Sequence, residues 1–245
     1  MLPIVFLGGL KHYFRVLSFD FWNERIYINH SMLITFEGID GCGKSTQAKL
    51  LKETLDNEQI ETILLREPGG TSLSEHIRTM LLNKTYVHPL AAETELLLFG
   101  ASRAQLMHEV IKPALERNAI VILDRFTDST IAYQSFGRGI PLGFVEEVNK
   151  IATDGIEPDL TFLFDIDLPT ASKRRIGVGN DRIEAESEIF FNRVILGYMY
   201  LAQHHTERIN VLDATGPIES LQKNIWRLVQ EERAYDVSHA NHVDQ

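Results

Sequence analysis

One cysteine, Cys42, stands among 245 residues, so the chain carries no disulfide framework and no cysteine-built zinc site. A chain so poor in thiols suits a reducing compartment, and the expected localisation is the cytoplasm. Basic residues are in the minority. The 24 Lys and Arg against 34 Asp and Glu give a formal net charge of −10, and a chain of that sign repels a nucleic-acid backbone, so no nucleic-acid partner is expected. No apolar run reaches the length of about 18 residues that a membrane span needs. The opening MLPIVFLGGL is too short for one, and no membrane association is expected. It also makes a poor secretion signal, with no basic residue ahead of it and no A-x-A-like cleavage site behind it. Internal repeats and low-complexity tracts are absent as well.

What remains is ordinary globular material, 44% hydrophobic and 24% charged, long enough for one α/β domain. Five runs read as strands: MLITFE (32–37), ETILLRE (61–67), AIVILD (119–124), DLTFLFDI (159–166) and RINVLDA (208–214). They are nearly continuous in apolar residues, as strands are when helices cover both faces of a parallel sheet. Helical spacing lies between them, in Ala48, Leu51 and Leu55 and again in Val145, Val148 and Ile151. This alternation predicts a three-layer α/β fold with a five-stranded parallel sheet joined by right-handed crossovers. The domain is expected to cover 32–230. Residues 1–31 are expected to be an extension, either disordered or an artefact of the start site, and 231–245 a polar tail that frays.

The strongest chemical signal is Gly38-Ile39-Asp40-Gly41-Cys42-Gly43-Lys44-Ser45, which fits G-x-x-x-x-G-K-[ST] and sits between a strand and an amphipathic helix. Glycines there let backbone amides converge on phosphate oxygens, and the following helix adds its free N–H groups and dipole. The expected ATP-binding residues are this octet and Thr46. Lys44 would contact the β- and γ-phosphates, and Ser45 would ligate Mg²⁺. Cys42 is read as a small filler, because nothing near it in sequence reads as a redox partner. Kinases, GTPases, motors and partitioning ATPases all carry such loops. The usual early second lysine of a partitioning ATPase is replaced here by Ile39 and Asp40, and no N-K-x-D-type guanine reader follows the fourth strand.

A second cluster lies in DRFTDSTIAYQ. Asp124 ends an apolar strand at the edge where open α/β sheets bind ligands, and its carboxylate suits a Mg²⁺ hydration shell. If the segment is helical, Arg125, Ser129 and Tyr133 share a face: a phosphate clamp, a hydroxyl and an aromatic plane. From spacing alone a strand-end ion pair beside a solvated helix fits as well. Phe99 and Arg103 are four apart, and could stack on a base and bond its carbonyl oxygen, or Phe99 could simply be core. Arg66 opens REPGGT, which is either a plain loop or a ligand loop.

FEGIDGCGKST, REPGGT, LLLFGASRAQ, DRF-x-x-ST-x-AYQ and DRIE-x-E occur in that order. Together they resemble the thymidylate kinases of the bacterial type, from Met32 to about Gln230. The resemblance implies transfer of the γ-phosphate of Mg·ATP to dTMP and a homodimer. It implies that Asp40 holds the sugar hydroxyl, Phe99 stacks on thymine and Arg103 bonds its O4. Arg66 and Arg125 become phosphate-binding arginines, Ser129 and Thr130 a polar pair near the base edge, and Tyr133 a plane against the deoxyribose. Ser45 and Asp124 are the metal candidates.

After the fourth strand, SKRRIGVGNDRIE sets basic residues beside glycines. Spacing alone also fits a solvated helix end. The resemblance implies a lid at about 173–184, and such kinases place a catalytic arginine in either the phosphate loop or the lid. No arginine occupies the octet, so the expected catalytic set is Lys44, Arg125, Arg175 and Arg182. The choice between Arg174, Arg175 and Arg182 stays open. Competing readings are another nucleoside monophosphate kinase, for UMP/CMP or AMP, and a non-catalytic P-loop switch.

Overall fold

The computed structural model describes residues 31–86, 88–175 and 181–240. Expectations about the first 30 residues, the middle of the lid and the last five residues therefore lie outside the described residues. Five parallel strands, β1 (Met32–Glu37), β2 (Thr62–Arg66), β3 (Ile120–Asp124), β4 (Leu160–Asp165) and β5 (Ile209–Asp213), make one sheet in the order β2-β3-β1-β4-β5. Each expected strand is present. Register aligns Phe36 with Asp124, Arg66 with Asp124, and Asp165 with Asp213. All five strands end in a charged residue, Glu37, Arg66, Asp124, Asp165 or Asp213, so the sheet has an apolar body and an ionic rim.

Alternate residues of β1 and β3 feed two apolar layers. Ile34, Phe36, Ile120 and Ile122 pack in one cluster with Ala48, Leu51 and Leu55 of α1 (Lys44–Asn57). Leu33, Val121 and Leu123 pack in the other with Leu106, Met107 and Ile111. Both clusters lack solvent contact almost entirely, as the doubly covered sheet required.

Helices α2 (Ser72–Leu82) and α3 (Ala92–Leu106) follow β2, and α3 runs on through a π-helical turn, Met107–Ile111, into α4 (Lys112–Glu116). After β3 come a single turn, α5 (Thr127–Thr130), a π-helical stretch, Ile131–Gly137, and α6 (Leu142–Thr153). In α6 the buried side is Val145, Asn149 and Ala152, while Ile151 is 79% exposed. The helical period at this point is as expected, but Ile151 lies on the outer face. Helices α7 (Leu168–Arg174), α8 (Glu188–His204) and α9 (Ile218–Ala240) complete the order. The helix α9 runs to Ala240, past the expected start of the tail at 231, with Ile225 and Val229 fully buried.

Candidate active site

The phosphate loop leaves β1 at Gly38 and enters α1 at Lys44. Gly41 has φ 89°, and a Cβ there would run into the carbonyl oxygen of Ala171 in α7 and meet Arg175 Cγ at 3.0 Å. Only glycine allows α7 to sit this close to the loop. Lys44 is buried, and its ammonium donates to the loop's own Ile39 carbonyl at 3.0 Å and lies 3.8 Å from Asp40. Cys42 is buried, with Sγ 3.6 Å from Lys44 Nζ.

Ser45 donates its hydroxyl to Asp124 Oδ2, across from α1 to the end of β3. Among the described residues no set of three or more His, Cys, Asp and Glu forms a protein-built metal cage. A hydroxyl and a carboxylate at the rim fit Mg²⁺ all the same, because that ion keeps waters and takes few protein ligands beside substrate phosphates.

A cleft of about 230 Å³ opens next to this pair. Arg66, Phe99, Arg103, Arg125, Ser129 and Tyr133 all line it, so residues spread over three sequence blocks converge. Arg125 is the hub. Its Nη2 donates to Asp40 at 2.6 Å, its Nη1 to Ser129 Oγ at 3.1 Å and to Tyr198 Oη at 3.2 Å, and its guanidinium lies 5.2 Å from the Tyr133 ring centre. Burial opposes ionisation of Asp40, but Arg125 and then Lys44 outweigh it and hold that carboxyl well below the usual range. Among the described residues the buried Tyr133 hydroxyl has no hydrogen-bond partner, and burial raises its pKa.

Arg103 is 1% exposed. It donates to Glu67, Asn149, the Phe126 carbonyl and Thr130 Oγ1 at 2.6–3.0 Å. These bonds occupy four of the five N–H groups a guanidinium offers. Ser129 and Thr130, expected as a pair, divide: Thr130 serves Arg103, and Ser129 serves Arg125. Arg66 donates to the Pro68 carbonyl at 2.9 Å and pairs with Glu75 at 3.0 Å.

The lid arginines also separate. Arg174 donates to the Ala214 carbonyl at 2.9 Å. Arg175 lies against Gly41 and pairs with Glu184. Arg182 points elsewhere, donating to the buried Glu95 and to the Leu81 carbonyl. Its neighbours Asp181, Ile183 and Glu184 line the cleft, and Arg182 does not.

Two residues of the site, Arg78 and Glu37, were not singled out from the sequence. Arg78 lines the cleft and donates to the same Pro68 carbonyl as Arg66. Burial and then Arg66 lower its pKa. Glu37 is fully buried, accepting from the Phe126 amide and from the Ser129 and Tyr198 hydroxyls. Burial and then Asp128 push it up to about 7, against the bonds and the charge of Arg125. A carboxylate closing an apolar strand just before the octet was the available clue.

The family model for thymidylate kinase matches residues 36–225. The chain belongs to the thymidylate kinase family. It is 47% identical over 195 residues to a thymidylate kinase of Kosmotoga olearia, covering 79% of this chain and 93% of the relative. It is 43% identical over 213 residues to one of Prosthecochloris aestuarii, covering 82% and 94%. Among solved structures, a thymidylate kinase from Ehrlichia chaffeensis superposes with a TM-score of 0.66 at 35% identity, over 82% of this chain and 99% of that one.

Proposed function

We infer that this chain phosphorylates dTMP to dTDP with ATP, the nucleotides meeting where the phosphate loop faces Arg125. The observation that carries this reading is that Asp40, Arg125, Phe99 and Arg103 line one cleft, with Asp40 2.6 Å from Arg125 and 3.8 Å from Lys44 of the phosphate loop. A phosphate donor is held by the loop, and a pyrimidine monophosphate fits the cleft with its base toward Arg103 and its phosphate toward Arg125, Arg66 and Arg78.

The attacking phosphate oxygen is already ionised near neutral pH, so no strong base is needed. The obstacle is the repulsion of two anions. Lys44 and Arg125 offset it, in a site where cations aimed at the transferring group stabilise its charge most strongly. Of the lid arginines, Arg175 is the one we assign to the phosphoryl group, because it lies on the phosphate loop. Arg182 anchors its segment to Glu95. Bound Mg²⁺, held by Ser45 and Asp124, would add neutralisation of the phosphates. Asp40 orients Arg125, and its free edge is available to the sugar hydroxyl.

We also read the working form as a homodimer in the cytoplasm. Leu97, Phe144 and Ile151 are 61%, 68% and 79% exposed on α3 and α6. These helices touch where a Cβ on Gly100 would come within 2.8 Å of Val148. Ala101 and Ala104 continue the exposed side of α3, small enough for a second helix to approach. A contiguous apolar face of this kind suits a second copy of the same face. Among the described residues no helix is long and apolar enough to cross a membrane.

The test is nucleotide turnover with Mg·ATP and dTMP, dUMP, UMP, CMP or AMP in turn. dTDP should form, with dUMP used less well by the worth of one methyl group, about 1–3 kcal/mol. Lys44→Ala should abolish turnover with the circular dichroism spectrum retained. ADP release without dependence on any acceptor would leave a switch, and no dTDP would end this reading.

A further inference from the structure

Arg125 leaves β3 with φ 75°, a left-handed conformation that residues other than glycine rarely occupy. Something must hold it there. Its own amide donates to the Phe36 carbonyl at 3.0 Å. The next amide, that of Phe126, donates to Glu37 Oε1 at 2.7 Å. The other oxygen of the same carboxylate, Oε2, accepts from the Ser129 hydroxyl at 2.5 Å and from Tyr198 at 3.1 Å. Those two hydroxyls lie 2.8 Å apart, and both accept from Arg125 Nη1. Glu37 therefore grips Arg125 twice, once through the turn beneath it and once through the head group.

The polarity of these contacts matters more than their number. A hydroxyl whose hydrogen is given to a carboxylate turns its lone pairs the other way, here toward the guanidinium. An amide in place of the carboxylate keeps one acceptor oxygen, so it can serve only one side. With its NH2 at the Oε2 position it would donate to the hydroxyls and turn their hydrogens toward Arg125. With its NH2 at the Oε1 position it would face the Phe126 N–H and lose the hold on the turn.

We propose that Glu37 is a second positioning residue of Arg125, alongside Asp40, setting its turn through the Phe126 amide and its guanidinium through Ser129 and Tyr198. This rests on the reading of Arg125 as a phosphate-binding group. Glu37 itself touches no substrate. Its effect falls on the rate of transfer, where a misplacement of about 1 Å costs up to about 100-fold.

The test uses the full chain carrying E37Q, Y198F, R125A and the two doubles with R125A, measured for kcat and for KM of each nucleotide. R125A should lower kcat by about 100-fold or more. E37Q should lower kcat by about 10- to 100-fold and Y198F by about 3- to 10-fold, with the KM for ATP within about twofold. With R125A already present, either change should cost less than about twofold more, since the group it positions is gone. Undiminished losses in the R125A background would overturn the proposal, and so would E37Q with wild-type kcat. Full activity of R125A would instead overturn the underlying reading of Arg125, a distinct result. If E37Q does not fold, the Y198F cycle, which removes one hydroxyl and keeps the ring, decides alone.

Discussion

Arg103 and Glu67 form an ion pair beneath the cleft, Nη2 to Oε2 at 2.7 Å, with side chains only 1% and 4% exposed. The residue assigned to the base is thus also a structural cation. Burial raises the pKa of Glu67 even with Arg103 opposing it.

Removing Arg103 alone leaves a buried, uncompensated carboxylate. Arg103→Ala should cost about 3–5 kcal/mol in urea denaturation. The double change Arg103→Ala with Glu67→Ala should be less damaging than the sum of the two. At temperatures where Arg103→Ala remains folded, its KM for dTMP should rise more than its KM for ATP. Equal losses for both nucleotides would contradict a base-reading role.

Glu37 makes stability depend on pH in an unusual direction. Its folded pKa, about 7, lies above the ordinary 4.5, so the folded state binds this proton more tightly than the unfolded one. Its contribution is full below about 4.5 and is lost as pH rises to about 7. The stability of the wild type relative to Glu37→Gln should therefore decline across that window and level off above it. Chemical denaturation at closely spaced pH values checks this, and a difference that rises with pH would contradict it.

Gly197 of α8 faces the π-helical stretch, where a Cβ would meet Ala132 Cα and the Phe136 ring at 2.9 Å. Gly197→Ala should destabilise by about 1–3 kcal/mol through overpacking. Because Tyr198 is the next residue, kcat should fall as well. A thermal midpoint equal to that of the wild type would show that α8 can give way.

Phe144→Asp and Ile151→Asp place charges on the exposed apolar face of α6. Each should leave the thermal unfolding of a single subunit nearly unchanged and shift the sedimentation coefficient from dimer to monomer at micromolar concentration. A wild-type chain that sediments as a monomer would remove the basis for this prediction.

The fold was largely legible because its signals are local. Each strand is an apolar run, and the octet is continuous. Spacing within one segment was legible too: Arg125 and Ser129 line the cleft together, as do Phe99 and Arg103. What stayed hidden depends on contacts across the fold. Tyr198 lies 161 residues from Glu37, and Arg103 lies 36 from Glu67. Nothing in either neighbourhood encodes the partner. Ile151 shows the limit from the other side: helical spacing gives a period, but the side that is buried depends on what packs there, and here that side begins at Val145.

The carboxylate of Glu95 accepts from Gln134, Arg138 and Arg182. One anion thereby ties α3, the π-helical stretch with the residue that follows it, and the C-terminal part of the lid segment into a single knot. Without it Arg138 would keep Glu186 and Arg182 would keep the Leu81 carbonyl, so what would go is the ionic tie of the lid segment to α3. That tie runs to the same helix that bears Phe99 and Arg103.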